Sequence, residues 1–163
     1  MKAVMMTYRR DDAHLQLGDD FPALAMQTVW SSAEMAAALP GADIVLLNNR
    51  ICTPELGAVL RDGGRYLRWI QFISSGIERG KEMGLPPGVP VTNASGVKGP
   101  VIAEHAVTML LALARRVPDF VKARETREWI RLDVHSRIWG AEGKVLAVIG
   151  MGAIGHEVAR KAK

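Results

Sequence analysis

One stretch constrains this chain more than any other: residues 144–163, reading KVLAVIGMGAIGHEVARKAK. Val145, Leu146, Ala147, Val148 and Ile149 form a short apolar run with the length and β-branched content of a buried parallel strand. It leads into Gly150-Met151-Gly152-Ala153-Ile154-Gly155, which fits G-x-G-x-x-G, and Val158, Ala159 and Ala162 continue at helical spacing. Strand, glycine turn and helix start are the context in which such a turn binds a dinucleotide. Gly150 permits the tight turn, Gly152 lets backbone approach a pyrophosphate, and Gly155 lets helix and strand pack closely. The N–H groups of Ala153, Ile154 and Gly155 then open a helix whose positive dipole end faces the anion. The other reading is a glycine-rich turn without a ligand.

The acidic residue that would hold an adenosine ribose is expected about 20 residues beyond the glycines, on a second strand. Only eight residues follow Gly155. The expectation is therefore half of one nucleotide-binding unit, in a sequence cut from something longer.

The 163 residues suit one ordinary domain, or one domain and part of another. With 48% hydrophobic and 23% charged residues the chain is globular rather than disordered. No apolar run approaches the ~20 residues of a membrane span. The N-terminal MKAVMM, followed by Arg9, Arg10, Asp11 and Asp12, is too short for a signal peptide core and reads as a first strand. The single Cys52 excludes an internal disulfide framework and fits a reducing, cytoplasmic setting, as an unreactive buried thiol. A net charge of +4 is spread thinly, with clusters only at Arg115-Arg116 and Lys161–Lys163. No basic stripe or recognised module argues for nucleic acid, and no cluster of metal-ligand spacing is visible.

Residues 1–97 alternate strand and helix patterns. Strands are expected at Ala3–Met6, Gln27–Trp30, Ile44–Leu47, Leu67–Ile73 and Val89–Thr92. Ser31-Ser32-Ala33-Glu34 is a capping box opening a helix through Leu39, and Thr53-Pro54 caps a helix through Leu60. A short helix is expected around Glu78–Met83. Such alternation implies parallel strands with helices on both faces, and pockets at the strands' carboxyl ends. Arg50, Ser75-Gly76 and Asn93–Gly96 each follow a predicted strand. Beyond Gly99-Pro100, Val101 to Pro118 reads as one helix apolar nearly all round, to be buried between domains or against another chain. Asp119–Trp129 reads as a surface helix, and Leu132–Gly143 as an arm or loop.

At these residues the chain resembles the D-isomer-specific 2-hydroxyacid dehydrogenases. The resemblance rests on Leu67–Ile70 through Ser75-Gly76-Ile77-Glu78, on Val89–Gly96, on Ala103-Glu104-His105, on Arg115–Pro118 and Trp129, and on the glycine turn. It covers about Leu67 to Ala162; residues 1–66 share only the strand pattern. It implies an α/β chain with a flavodoxin-like, parallel-sheet substrate domain over 1–97. Residues 98–163 would then be the incomplete start of a Rossmann NAD(P)-binding domain. The implied reaction interconverts 2-oxo acids and D-2-hydroxy acids, of glyoxylate or hydroxypyruvate type, with NAD or NADP, in a cleft between the domains. Backbone amides at Ser75-Gly76 would hold the substrate carboxylate, as a glycine turn after a strand can; the alternative is a plain strand-ending turn. Arg50 would add charge near the substrate, or be a solvated surface cation. Asn93 and Gly96 match the interdomain crossing, as hinge or as ligand contact. Val101–Gly140 would form the interface of a homodimer.

In the family the catalytic Arg, the Glu and the general-acid His follow the glycine turn, so no catalytic residue is assigned here and the chain alone is expected to be inactive. His105 belongs to the Ala-Glu-His helix motif and reads as packing; His14, His135 and His156 have no motif, and Glu104 is given no chemistry. Two other readings stay open: a non-enzymatic anion-binding or dimerising module, and a Rossmann enzyme of another reaction class.

Overall fold

The structure is a computed structural model and describes residues 1–8 and 21–163. Arg9, Arg10, Asp11, Asp12 and His14 lie outside the described residues. The chain divides into two compact units, Met1–Ser95 and Gly96–Lys163.

The first unit is built on five parallel strands: β1 (Lys2–Met6), β2 (Ala25–Val29), β3 (Ile44–Leu47), β4 (Trp69–Phe72) and β5 (Val91–Thr92). Their order is β2-β1-β3-β4-β5, the doubly wound order of flavodoxin-like sheets, which reverses between β1 and β3. The α/β parallel sheet expected from the alternating pattern is thus present. All four residues of β3 are buried, which is why its sequence, Ile-Val-Leu-Leu, is continuously apolar: both faces of a central parallel strand are covered. Alternate side chains divide between the faces. Val4, Met6, Val45, Leu47, Ile70 and Phe72 join the main core with Met35, Leu39, Leu56 and Leu60. Ala3, Met5, Ile44 and Leu46 form a smaller cluster on the opposite face, with Leu24, Met26 and Ile73 against it.

Three helices connect these strands: α1 (Ser32–Ala38), α2 (Pro54–Gly63) and α3 (Glu78–Glu82). The two expected caps are formed. Ser31 Oγ accepts from the Glu34 N–H at 3.2 Å, and the Glu34 carboxylate accepts from the Trp30 N–H at 3.0 Å, one residue earlier than a reciprocal capping box has it. Thr53 Oγ1 accepts from the Leu56 N–H at 3.2 Å. Lys2 Nζ donates to the carbonyls of Ala38 and Pro40 at 2.6 and 2.9 Å, placing a cation at the negative end of α1. The strands β4 and β5 are shorter than expected; Pro90, with no N–H, stands just before β5.

The second unit holds α4 (Gly99–Ala114), α5 (Val117–Thr126), α6 (Arg131–His135) and α7 (Ala153–Lys161). The single helix expected from Val101 to Pro118 is two helices. Arg116 turns left-handed (φ 58°), and Pro118 stands in the first turn of α5, where its missing N–H costs nothing. Leu132–Gly143, expected as arm or loop, is in part the short helix α6. The larger correction concerns Val145–Ile149, expected as a buried strand. It is extended but unpaired, with Val145 and Ile149 fully exposed at 98% and 101%. A strand exists only against a neighbour that takes its N–H and C=O groups, and residues 96–163 contain no other strand. No helix of the described residues is long and apolar enough to cross a membrane.

Candidate functional site

Two candidate sites are legible, one in each unit. In the first unit, the carboxyl ends of the parallel strands carry Thr7 and Tyr8 after β1, Asn48–Arg50 after β3, Ser74–Gly76 after β4 and Asn93–Ser95 after β5. The sheet order reverses between β1 and β3, where ligands of open α/β sheets bind. At that place the Arg50 guanidinium lies 5.9 Å from the centroid of the Tyr8 ring, within range of a cation–π attraction.

The Ser74–Gly76 loop is held from behind. Ser74 Oγ donates to the Gly76 carbonyl at 2.8 Å and accepts from the Asn49 N–H at 3.1 Å. Ser75 Oγ donates to the Ala94 carbonyl at 3.2 Å, and Asn93 Nδ2 donates to the Ser75 carbonyl at 2.7 Å. With carbonyls and hydroxyls so engaged, the N–H groups of Ser75 and Gly76 have no acceptor among the described residues. Adjacent free amides at the carboxyl end of a parallel strand suit an anion. Arg79 Nη1 donates to the Arg50 carbonyl at 3.2 Å, bringing a second cation to the same loops.

Asn49 and Glu78 also meet in this region, two polar residues whose pairing no local pattern announces. Asn49 Nδ2 donates to Glu78 Oε2 at 3.1 Å, and Asn49 Oδ1 accepts from the Gly80 N–H at 3.2 Å. A polar pair directly after the apolar run Ile44–Leu47 was the available signal; its partners lie 29 and 31 residues away, beyond the reach of local pattern. Cys52, close by in sequence, is buried with its Sγ 3.6 Å from the Asn48 carbonyl. Burial pushes its thiol up to about 11, against a smaller lowering by Arg79. It stays a thiol at neutral pH and is a poor nucleophile.

In the second unit, Gly150 has φ +92° and begins the turn. Gly152 precedes α7 without any side-chain cap. The first helical N–H bonded back belongs to His156, which donates to the Gly152 carbonyl at 3.0 Å. Ala153, Ile154 and Gly155 therefore present N–H groups with no acceptor among the described residues. A Cβ on Gly152 would meet nothing within 4 Å, so the space beside this glycine is open. The turn fits a pyrophosphate: three amides, a helix dipole and a glycine where the anion would approach. His156 Nδ1 stands 3.0 Å from the Gly152 carbonyl, on its own helix end. Lys161 Nζ reaches Glu104 Oε2 at 3.2 Å and ties α7 to α4, so Glu104 has a structural partner. On the surface of α7, Arg160 holds the Glu157 carboxyl below its usual range through their hydrogen bond.

Comparison with known proteins agrees with this geometry. Residues 107–163 match the family described as D-isomer specific 2-hydroxyacid dehydrogenase, NAD binding domain. The D-3-phosphoglycerate dehydrogenase of Synechocystis is 28% identical across the whole chain, which spans 29% of that relative. The glyoxylate reductase of Thermococcus litoralis is 36% identical over 81 residues, covering 47% of this chain and 24% of the relative. Among solved structures, a D-isomer specific 2-hydroxyacid dehydrogenase family protein from Aeromonas salmonicida superposes with a TM-score of 0.76 at 22% identity, covering 99% of this chain and 50% of that one. The NAD-dependent formate dehydrogenase of Staphylococcus aureus, solved with NAD, gives 0.65 at 18% identity, covering 99% and 53%. The chain thus spans about half, or less, of the relatives it matches. The expected cofactor class, NAD or NADP, agrees with the match of residues 107–163 to an NAD-binding domain.

Proposed function

We propose that the chain is part of an NAD- or NADP-dependent oxidoreductase of the D-isomer specific 2-hydroxyacid dehydrogenase family, interconverting 2-oxo acids and D-2-hydroxy acids; the match of residues 107–163 and the similarity to the Synechocystis relative support this reading. Substrates of glyoxylate or hydroxypyruvate type are the ones we propose, in keeping with the glyoxylate and hydroxypyruvate reductases among the relatives. In this reading the first unit is the substrate domain and the second begins the dinucleotide-binding domain. The observation that carries the proposal is the pair of free amide sets, Ser75-Gly76 after β4 and Ala153–Gly155 after the glycine turn. The first holds the substrate carboxylate with Arg50 adding charge; the second holds the cofactor pyrophosphate across Gly150, Gly152, Ala153, Ile154 and Gly155. The bound nicotinamide supplies the hydride acceptor or donor.

The role of these residues is binding and orientation. We assign none of them the proton transfer that such a reaction needs. His156 bonds its own helix end, and His105 lies on α4 away from the glycine turn in sequence. A cytoplasmic setting suits the one free cysteine, Cys52. Amide chemical-shift mapping on the 163-residue chain tests the reading. Glyoxylate should move Ser75, Gly76 and Arg50, and NADH should move 150–155. Glyoxylate shifts confined to 150–155 would count against it. No NAD(P)H-dependent reduction of glyoxylate, hydroxypyruvate or pyruvate is expected from these residues alone, and clear turnover by mass-verified protein would refute that division of labour.

We further propose a homodimer through Val101–Gly140. Val101, Trp129 and Leu132 are 72%, 86% and 84% exposed, and Met109 and Leu113 on α4 are also exposed. Covering one such side chain contributes about 1.5–3 kcal/mol, so several together favour association, most simply about a two-fold axis. Light scattering decides it: a monomer at micromolar concentration would end this proposal.

A further inference from the structure

We infer that Glu78, held in place by Asn49, is a specificity-determining residue that biases the Ser75-Gly76 cradle toward singly charged carboxylates and against dicarboxylates and phosphate esters. The inference rests on the reading of Ser75-Gly76 as the carboxylate site. A Cβ built on Gly76 would lie 2.6 Å from Glu78 Oε2 and 3.3 Å from Oε1. The Glu78 carboxylate therefore occupies the side of Gly76 where a side chain would stand, next to the loop whose amides are offered to the anion. Its position is not left to a free side chain, because Asn49 Nδ2 donates to the same Oε2 at 3.1 Å. Asn49 is itself fixed at two further points, through the Gly80 N–H on its Oδ1 and through its own N–H on Ser74 Oγ. One residue after β3 thus locks the acidic group beside the loop after β4.

The charges assembled here are the cations Arg50 and Arg79, whose segments are joined by the Arg79 bond to the Arg50 carbonyl, and the anion Glu78. Two cations and one anion leave a balance of one positive charge, which a monocarboxylate neutralises. Backbone amides add dipoles but no further charge. A second negative charge on the ligand meets Glu78 without a matching cation. Glu78 is solvent-exposed, so the repulsion is partly screened and sets a preference rather than an absolute bar.

The experiment titrates the 163-residue chain with pyruvate and, separately, with ketomalonate, the same 2-oxo acid skeleton carrying a second carboxylate. Dissociation constants are read from the Ser75 and Gly76 amide shifts at low and high salt. The native chain should prefer pyruvate. Glu78→Gln should tighten ketomalonate by about fivefold, the scale of one partly screened neighbouring charge, and leave pyruvate within about twofold. Asn49→Ala, which frees the carboxylate from its place, should narrow the preference in the same direction. Added salt should erode the preference in the native chain and change little in Glu78→Gln, a response that a purely structural role would not produce. An unchanged ratio in Glu78→Gln, with both ligands still moving Ser75 and Gly76, overturns this inference and leaves the carboxylate site standing. Failure of both ligands to move these amides in both the native chain and Glu78→Gln overturns the site and the inference together.

Discussion

A Cβ on Gly155 would stand 2.0 Å from the carbonyl oxygen of Gly150. The first turn of α7 thus rests directly on the backbone that enters the glycine turn, and only a hydrogen fits between them. The geometry makes Gly155 a packing requirement, separate from whatever the amides bind.

Gly155→Ala should therefore damage the second unit itself. The added methyl group meets backbone, which cannot rotate aside as a side chain can, so the helix start must shift. Overpacking of this kind costs about 1–3 kcal/mol. A lower midpoint in urea, with loss of amide protection along Ala153–Lys161 in hydrogen exchange, is the expected result. Native stability would refute the packing argument.

Gly152→Val should behave in the opposite way. Nothing lies within 4 Å of the Cβ position, and φ there is −78°, so the fold tolerates the side chain. Stability should stay within about 0.5 kcal/mol of the native value, as for a surface substitution. NADH binding, followed by fluorescence or calorimetry, should weaken by at least about tenfold, because the new side chain fills the space beside this glycine, where the anion would approach. Unchanged NADH affinity would show that the pyrophosphate is not bound there.

Thr53→Ala removes the oxygen that accepts from the Leu56 N–H. An N-cap of this kind is worth about 1 kcal/mol. Both Leu56 and Leu60 of α2 sit in the main core, so the loss should appear in global unfolding, and Thr53→Ser should restore most of it. No change on denaturant titration would mean water replaces the cap without cost.

Cys52 should make the fold sensitive to alkali. Burial raises its folded value from the ordinary 9.0 to about 11. The unfolded chain therefore gives up its proton first, and stability falls as pH rises from about 9 through 11, in proportion to the difference in bound protons. The contribution is fully present below pH 9. Cys52→Ala should flatten the fall in that window relative to the native chain. Alkylation at pH 7 should be slow in native conditions and fast in denaturant. Equal alkylation rates in the two conditions would contradict the burial.

Some of this is legible in the sequence because it is local. The run Ile44–Leu47 announces a strand covered on both faces, and Ser31, Thr53 and Pro54 announce helix starts by satisfying N–H groups within a few residues. The alternation of such signals suffices for a parallel α/β sheet. The glycine turn is equally local: Gly150, Gly152 and Gly155 act within one turn of chain. The Asn49–Glu78 bond is different, since neither residue shows anything of its partner 29 positions away. The same holds for Tyr8 beneath Arg50, which only the adjacency of β1 and β3 brings together.

Val145–Ile149 marks the boundary most clearly. By itself the sequence determined the preference of these residues for an extended backbone, the turn that follows them and the uncapped start of α7. Those are properties of backbone torsions and near neighbours. Whether an extended segment becomes a strand was decided by tertiary structure alone, because its hydrogen bonds must be made with another segment. In β1 and β3 the partners lie alongside and the apolar side chains are buried. In residues 96–163 no second strand is present, and an equally apolar run stands in solvent.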